Sequence, residues 1–384
     1  MSRRLVTARP DSPVPPAGVR VPTGLYMQSR FFATTRPLWR KLADFESAVV
    51  RELTADLPID RPLYVTSLAR SGTTIVTEML ERHPDVTAHR YSDFPNIWTP
   101  YWRNYLLQRS RREPPKSAER AHRDRIEVSN DSPEAVEEVL WMHFFPGRHE
   151  PSKNQVLDPG DRNAAFDRFY RDHIRKLLAV RGASRYLAKG NYNVARMRYI
   201  LDLFPDARFL VPVRDPVAHV ASLVKQQALF CSSSLEDPRI PLQLAMAGHF
   251  EFGPGRRVEN YGDHTAAAAI AESWRSGHEV DGWARCWAAT YQHLLGQFER
   301  QPELREACLL FRYEDLCADS ARVIDRILAH CGLPAEPFAE TRTRYIEKLT
   351  LPDYYRPGFD VAELALIEQH CAATRDRLDA LCAG

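Results

Sequence analysis

Five short apolar runs and the amphipathic stretches between them set the outline of the chain. Leu63-Tyr64-Val65-Thr66, Val86-Thr87-Ala88-His89, Tyr186-Leu187-Ala188, Arg208 to Val213 and Leu309-Leu310-Phe311 are brief, rich in β-branched and aromatic residues, and bounded by turn formers. They read as buried strands. Apolar residues at helical spacing follow most of them: Ile75, Val76, Met79 and Leu80; Val217, Val220, Leu223 and Val224; Val323, Ile324, Ile327 and Leu328. Further helices are predicted over Glu134–Phe145, Ala164–Val180, Val194–Phe204 and 361–381, and around the stripe Trp283, Trp287, Tyr291, Leu294, Leu295 and Phe298. Strands alternating with helices predict an α/β fold with a parallel sheet.

Ahead of the first strand, residues 1–24 are rich in Arg and Pro and read as an extended arm. Leu38, Leu42, Phe45, Val49 and Leu53 form a stripe expected to dock a helix on the main domain. The division expected is therefore an arm and docking helix over 1–60, an α/β domain over 61–350, and a C-terminal loop and helix over 351–384 packing on that domain. Residues 108–132 read as an exposed loop, and 231–282, with clusters of Ser, Gly and Pro, as a lid-like insertion. The arginine-rich 108–132 segment is taken as solvated surface, and His249, His264 and His278 as ordinary lid residues.

The chemistry starts at the turn after the first strand. Ser67-Leu-Ala-Arg-Ser-Gly72-Thr73-Thr74 leads into a helix, so unpaired backbone N–H groups point at whatever anion sits there. Set against the nucleotide-binding loop G-x-x-x-x-G-K-[ST], Gly72 and Thr74 keep their places. Ser67 stands for the first Gly, and Thr73 for the Lys that reaches a triphosphate. Arg70 instead puts a planar, permanently charged fork in the loop. A phosphoryl or sulfuryl anion fits better than a magnesium triphosphate.

Composition adds bounds. The net charge of +2 gives no reason to expect a nucleic-acid partner. No apolar run reaches membrane-spanning length and no signal-peptide pattern appears. The seven cysteines, odd in number and without a C-x-x-C pair, read as reduced thiols of a cytoplasmic protein. His330-Cys331 and His370-Cys371 lack zinc-ligand spacing.

Leu68-Ala-Arg-Ser-Gly-Thr-Thr74 resembles the 5′-phosphosulfate loop of sulfotransferases that use 3′-phosphoadenosine 5′-phosphosulfate (PAPS). Arg214-Asp215-Pro216 at the end of a later strand, with Ser222 eight residues past the arginine, is similar to the same family's 3′-phosphate motif. Asp215 can cap the following helix and Pro216 suits its first position, which leaves Arg214 and the Ser222 hydroxyl for a dianionic phosphate. Arg312-Tyr-Glu-Asp-Leu316 also resembles a family segment, and reads as structural support.

The resemblance, over roughly 62–350, implies a three-layer, P-loop-like parallel sheet flanked by helices, with helical insertions. It implies transfer of a sulfuryl group from PAPS, without a metal, to a hydroxyl or amine of a small-molecule, carbohydrate or lipid acceptor. Donor-binding residues would be Arg70, Ser71, Gly72, Thr73, Thr74, Arg214 and Ser222. Arg70 stands where the cytosolic branch carries a catalytic lysine, so its role would be electrostatic. Lys189 is either a second cation near the sulfuryl group or an ordinary strand-end lysine. Lys189-Gly190-Asn191 lacks the histidine base of the cytosolic branch. The carboxylate used by Golgi-type relatives shortly after the second strand points to Asp93, with His89 as rival. The aromatic segment 94–105 (Trp98, Tyr101, Trp102, Tyr105) is a candidate acceptor platform. The Arg-Lys-Gly element of the cytosolic C-terminal loop is missing. Two other classes remain: a P-loop kinase or NTPase that has lost its lysine, and a nucleotide-binding protein without catalysis.

Overall fold

The structure is a computed structural model, describing residues 19–110, 118–119, 127–351 and 358–382. Tyr354 to Pro357, read as part of a C-terminal loop, and residues 1–18 of the arm lie outside that set.

Seven strands are present among the described residues: β1 (Leu63–Val65), β2 (Val86–Ala88), β3 (Ala118–Glu119), β4 (Glu127–Val128), β5 (Arg185–Lys189), β6 (Arg208–Val213) and β7 (Cys308–Arg312). Five of them form a parallel sheet in the order β2-β5-β1-β6-β7, while β3 and β4 pair separately and antiparallel. Both faces of the main sheet are covered. Tyr64, Tyr186, Ala188, Phe209 and Val211 point into one core with the helices Ala164–Arg181, Pro216–Glu236, Glu279–Arg300 and Val361–Cys382. Leu63, Val65, Leu187 and Leu210 point into the other, against Val76, Met79 and Leu80 of the helix Thr73–Glu81 and Val323, Ile324 and Ile327 of the helix Ser320–Cys331. Side chains alternate between faces along each strand, yet nearly all are apolar because neither face meets water. Burying one such Leu, Val or Phe is worth about 1.5–3 kcal/mol.

The C-terminal ends of β1, β5 and β6 carry the loops expected to bind the donor. β1 is central, and the chain moves to one side of it through β2 and β5 before crossing to β6 on the other. A crevice opens at such a reversal.

Three elements depart from the sequence expectation. The stripe Leu38, Phe45, Val49 and Leu53 faces solvent, each more than half exposed. The helix Arg36–Val49 docks instead through Ala43 and Glu46, on a cluster with Ile97, Trp98, Leu140 and Phe169. A buried ion pair secures it. Lys176 Nζ lies 2.9 Å from Glu46 Oε2 and donates to the Ala43 carbonyl at 3.2 Å, while Trp102 N donates to Glu46 Oε1 at 2.7 Å. With its charge paired to Lys176 and one oxygen hydrogen-bonded, a polar edge can be buried where a period count expects an apolar one.

The second departure is 231–282. Helical structure covers much of it, through the end of Pro216–Glu236, Arg239–Ala247, His264–Arg275 and the start of Glu279–Arg300. The third is the helix expected from Glu134, which begins at Glu138 and leaves Glu134 in a loop. Ile367, Cys371, Leu378 and Cys382 of the last helix are buried in the main core.

Candidate active site

The loop after β1 is clamped at its base. Ser67 is buried, and its Oγ is 2.8 Å from the Pro212 carbonyl of β6 and 2.8 Å from the Tyr291 hydroxyl. A glycine there would lose both bonds, which explains the serine physically. Arg70 has φ of 74°, a left-handed conformation that costs a non-glycine residue on the order of 1–3 kcal/mol. Gly72 has φ of 106°, and a Cβ on it would come within 2.5 Å of Tyr313 Cδ2. The loop is thus pressed against the turn after β7. The helix Thr73–Glu81 starts at once.

His219, buried in the helix Pro216–Glu236, holds the loop from beneath. Its Nε2 lies 2.8 Å from the Ala69 carbonyl. Burial pushes its pKa down to about 3, with Arg214 and Arg70 adding to the drop and the Ala69 bond opposing it. The ring is therefore neutral and donates its proton to the carbonyl. Sequence reading passed over His219. The only available signal was its place between Pro216 and Ser222 on one helix.

The second motif meets the first. Asp215 caps its helix, with Oδ1 accepting from Val217 N at 3.0 Å and Ala218 N at 3.1 Å. Arg214 Nη1 lies 3.5 Å from the Arg70 carbonyl, its guanidinium carbon 5.7 Å from the Tyr313 ring centre. Arg70 Nε donates to Ser222 Oγ at 3.3 Å. Two guanidinium groups, a hydroxyl and a helix N-terminus thus converge on one place. Ser71 Oγ is buried there and, among the described residues, has no hydrogen-bond partner. An orphaned buried hydroxyl costs about 1–3 kcal/mol unless a ligand satisfies it. The donor set suits an anionic phosphate or sulfate.

A cleft of about 640 Å³, its open mouth included, runs from this place. Arg70, Thr73 and Thr74 line one side, and Glu134, Lys189, Asn191, His249 and Glu251 are among the residues lining the rest. Lys189 is therefore in the same cleft as Arg70, with Nζ 3.6 Å from Glu134 Oε1. Burial alone would raise the Glu134 pKa, but Lys189, His249, Tyr91 and the Ala135 N–H outweigh it and hold the carboxylate well below its ordinary range. Glu134, Asn191 and Glu251 carry no sequence signal as cleft residues, and His249, expected to be an ordinary lid residue, lines the cleft with them; residues brought together by tertiary packing leave no periodic mark.

Asp93 and His89, the rivals expected from the sequence for the acceptor proton, lie in a buried network outside this cleft. Neither lines the cleft. Asp93 is 1% exposed and His89 2%. Asp93 Oδ2 is 3.1 Å from His89 Nδ1, 2.9 Å from Arg90 N and 2.8 Å from Arg181 Nη2, and Oδ1 accepts from Asn104 at 3.0 Å. His89 Nε2 lies 2.9 Å from Nε2 of buried His173. Burial would raise the Asp93 pKa, but His89 and Arg181 outweigh it and keep the carboxylate ionised. This closed network joins β2 to the helix Ala164–Arg181. The charge that holds Asp93 in this network belongs to Arg181, 88 residues away in sequence. Trp98, of the aromatic segment 94–105, is also buried, in the cluster under the docking helix and away from the cleft.

A sequence model of the sulfotransferase family matches residues 62–250, the stretch holding both motifs. Residues 62–250 belong to the sulfotransferase family. Among solved structures, the chain is similar to a sulfotransferase from Mycobacterium avium, with a TM-score of 0.52 and 15% identity over 86% of this chain and 81% of that one. A sulfotransferase from Mycobacterium tuberculosis gives 0.50 and 15% over 90% and 85%. At such identity the likeness speaks for the fold. No curated protein sequence matches. Among the described residues, no helix is long and apolar enough to cross a membrane, and no group of three or more His, Cys, Asp or Glu is arranged to hold a metal ion.

Proposed function

We propose that this sulfotransferase takes its sulfuryl group from PAPS and passes it to the hydroxyl of a small acceptor in the cleft. The observation that carries the reading is the convergence of Arg70, Arg214 and Ser222 at the N-terminus of the helix Thr73–Glu81, beside the unpartnered Ser71 hydroxyl. When bound, the donor supplies a sulfur open to attack and a phosphate as leaving group.

The chain's own residues do the rest. Backbone N–H groups of Ser71 to Thr74 and the hydroxyls of Thr73 and Thr74 hold the 5′-phosphosulfate and stabilise charge that grows on its bridging oxygen. Arg70 assists as a fixed cation and moves no proton at neutral pH. Lys189, in the same cleft, faces the sulfuryl oxygens as a second cation, with Glu134 as its counter-ion. Arg214 and Ser222 read the 3′-phosphate. His219 and Ser67 keep the cradle in place and touch no substrate.

Incubation with labelled PAPS and a broad panel of alcohols, phenols, sugars and amines, read by mass spectrometry, tests this reading. An acceptor gaining one sulfuryl group, with release of 3′,5′-diphosphoadenosine, is the expected result. Turnover of ATP without sulfation would overturn it.

A further inference from the structure

Facing the Arg70 loop, the insertion and the helix leading into it contribute an ionisable pair and an apolar wall to the cleft. Phe230, Leu244 and Phe252 form the wall, and His249 and Glu251 stand beside it. His249 is 29% exposed at its side chain, and its Nδ1 is 3.7 Å from Glu251 Oε2. Glu251 is itself fixed, since Oε1 accepts from Asn191 Nδ2 at 3.0 Å. The backbone of the pair is anchored at both ends of the turn: His249 N donates to the Leu244 carbonyl at 2.9 Å and Phe250 N to the Tyr192 hydroxyl at 2.8 Å.

We propose that His249 takes the proton of the acceptor hydroxyl, with Glu251 as the positioning residue that orients its ring. The acceptor is an uncharged alcohol or phenol whose apolar body lies on Phe230, Leu244 and Phe252. This rests on the sulfotransferase reading and deepens it. With Nδ1 turned to Glu251, Nε2 is the nitrogen that accepts the proton. As it does so, the acceptor oxygen forms its bond to sulfur. The bond from sulfur to the bridging phosphate oxygen breaks, and its electron pair stays on the departing phosphate.

The other charged groups of the cleft divide the work. Glu251, Glu134 and Lys189 act on His249 from its own segment, from the loop before the helix Glu138–Phe144 and from the end of β5. Burial lowers the His249 pKa, Glu251 and Glu134 raise it, Lys189 lowers it, and the balance lies above the ordinary histidine value. Glu251 is held down to about 2: burial would raise it, but His249 beside it and the Asn191 side chain outweigh the burial. Both carboxylates are held ionised by the groups around them. Of the three, the imidazole is the one whose pKa is raised, which favours its taking up a proton.

The test compares His249→Gln and Glu251→Gln with the full wild-type chain on two probe acceptors. One is 2-naphthol, protonated under the assay conditions; the other is p-nitrophenol at mildly alkaline pH, where it has already lost its proton. His249→Gln is expected to lose about 100- to 10,000-fold in turnover of 2-naphthol, far less with p-nitrophenol, and to keep wild-type affinity for 3′,5′-diphosphoadenosine. By NMR, the His249 imidazole of the wild type titrates above the ordinary value, and Glu251→Gln lowers that midpoint. Equal losses on both phenols, undiminished 2-naphthol turnover in His249→Gln, or an unmoved midpoint would each overturn the proposal while leaving donor binding intact. Failure of the wild type to bind 3′,5′-diphosphoadenosine would instead sink the donor reading.

Discussion

Arg70 and Ser222 lie 152 residues apart in sequence and share a hydrogen bond, Nε to Oγ, at 3.3 Å. The sequence assigns one to the 5′-phosphosulfate loop and the other to the 3′-phosphate motif. Their contact makes the two motifs one structural unit. Ser222→Ala therefore removes one hydrogen bond from Arg70 as well as a donor from the second site. Binding of both PAPS and adenosine 5′-phosphosulfate is expected to weaken, by up to about one charge-assisted hydrogen bond, 1.5–3 kcal/mol. Calorimetry on the two nucleotides checks it; a loss confined to PAPS would mean that Arg70 does not depend on Ser222.

Asp93→Asn is expected to act on stability. It leaves buried Arg181 and the His89–His173 pair without their carboxylate, and breaking one partner of a buried ion pair costs about 3–5 kcal/mol. Chemical denaturation measures this. Normal stability with turnover lost would return Asp93 to the acid–base role.

Gly72→Ala is expected to damage both fold and donor site. The new methyl group meets the Tyr313 ring at 2.5 Å, in a backbone conformation only glycine adopts cheaply. A fall in Tm together with a loss of 3′,5′-diphosphoadenosine affinity is predicted. Wild-type values for both would show that the loop does not lean on Tyr313.

His219 makes the protein sensitive to acid. Its pKa is near 3 when folded and about 6.5 in an unfolded chain. Between those values the unfolded state binds the extra proton, so stability falls as pH drops, by up to about 1.4 kcal/mol per pH unit from this group. Above about pH 6.5 the ring is neutral in both states and contributes no slope. Denaturation midpoints between pH 7 and 3 test the sign, with His219→Gln expected to flatten the curve. An equally steep curve in that variant would place the acid sensitivity elsewhere.

How much of this was legible depends on where the information sits. β1, β5 and β6 could be read because strands buried on both faces are continuous apolar runs, and Arg208–Val213 spans the observed β6. The cradle was legible because backbone geometry restricts which residues fit: Gly72 at positive φ, Asp215 and Pro216 at a helix start. The docking helix was half legible. Its period announced a helix, but the face it buries carries Glu46, paired with a lysine 130 residues away. The wall of the cleft opposite the cradle was not legible. Glu134, Asn191 and the His249–Glu251 turn come from three separate segments, and only the closed sheet and its covering helices bring them to one cleft.

The central claim is that the second motif reads a 3′-phosphate. The measurement is calorimetric affinity for 3′,5′-diphosphoadenosine and for adenosine 5′-monophosphate, in the wild type and in Arg214→Ala. A charge-assisted bond is worth about 1.5–3 kcal/mol, so the wild type is predicted to favour the diphosphate by roughly ten- to 150-fold. Arg214→Ala is predicted to erase most of that preference and leave monophosphate affinity nearly unchanged. Equal affinity of the wild type for both nucleotides, or an equal loss for both in the variant, would contradict it.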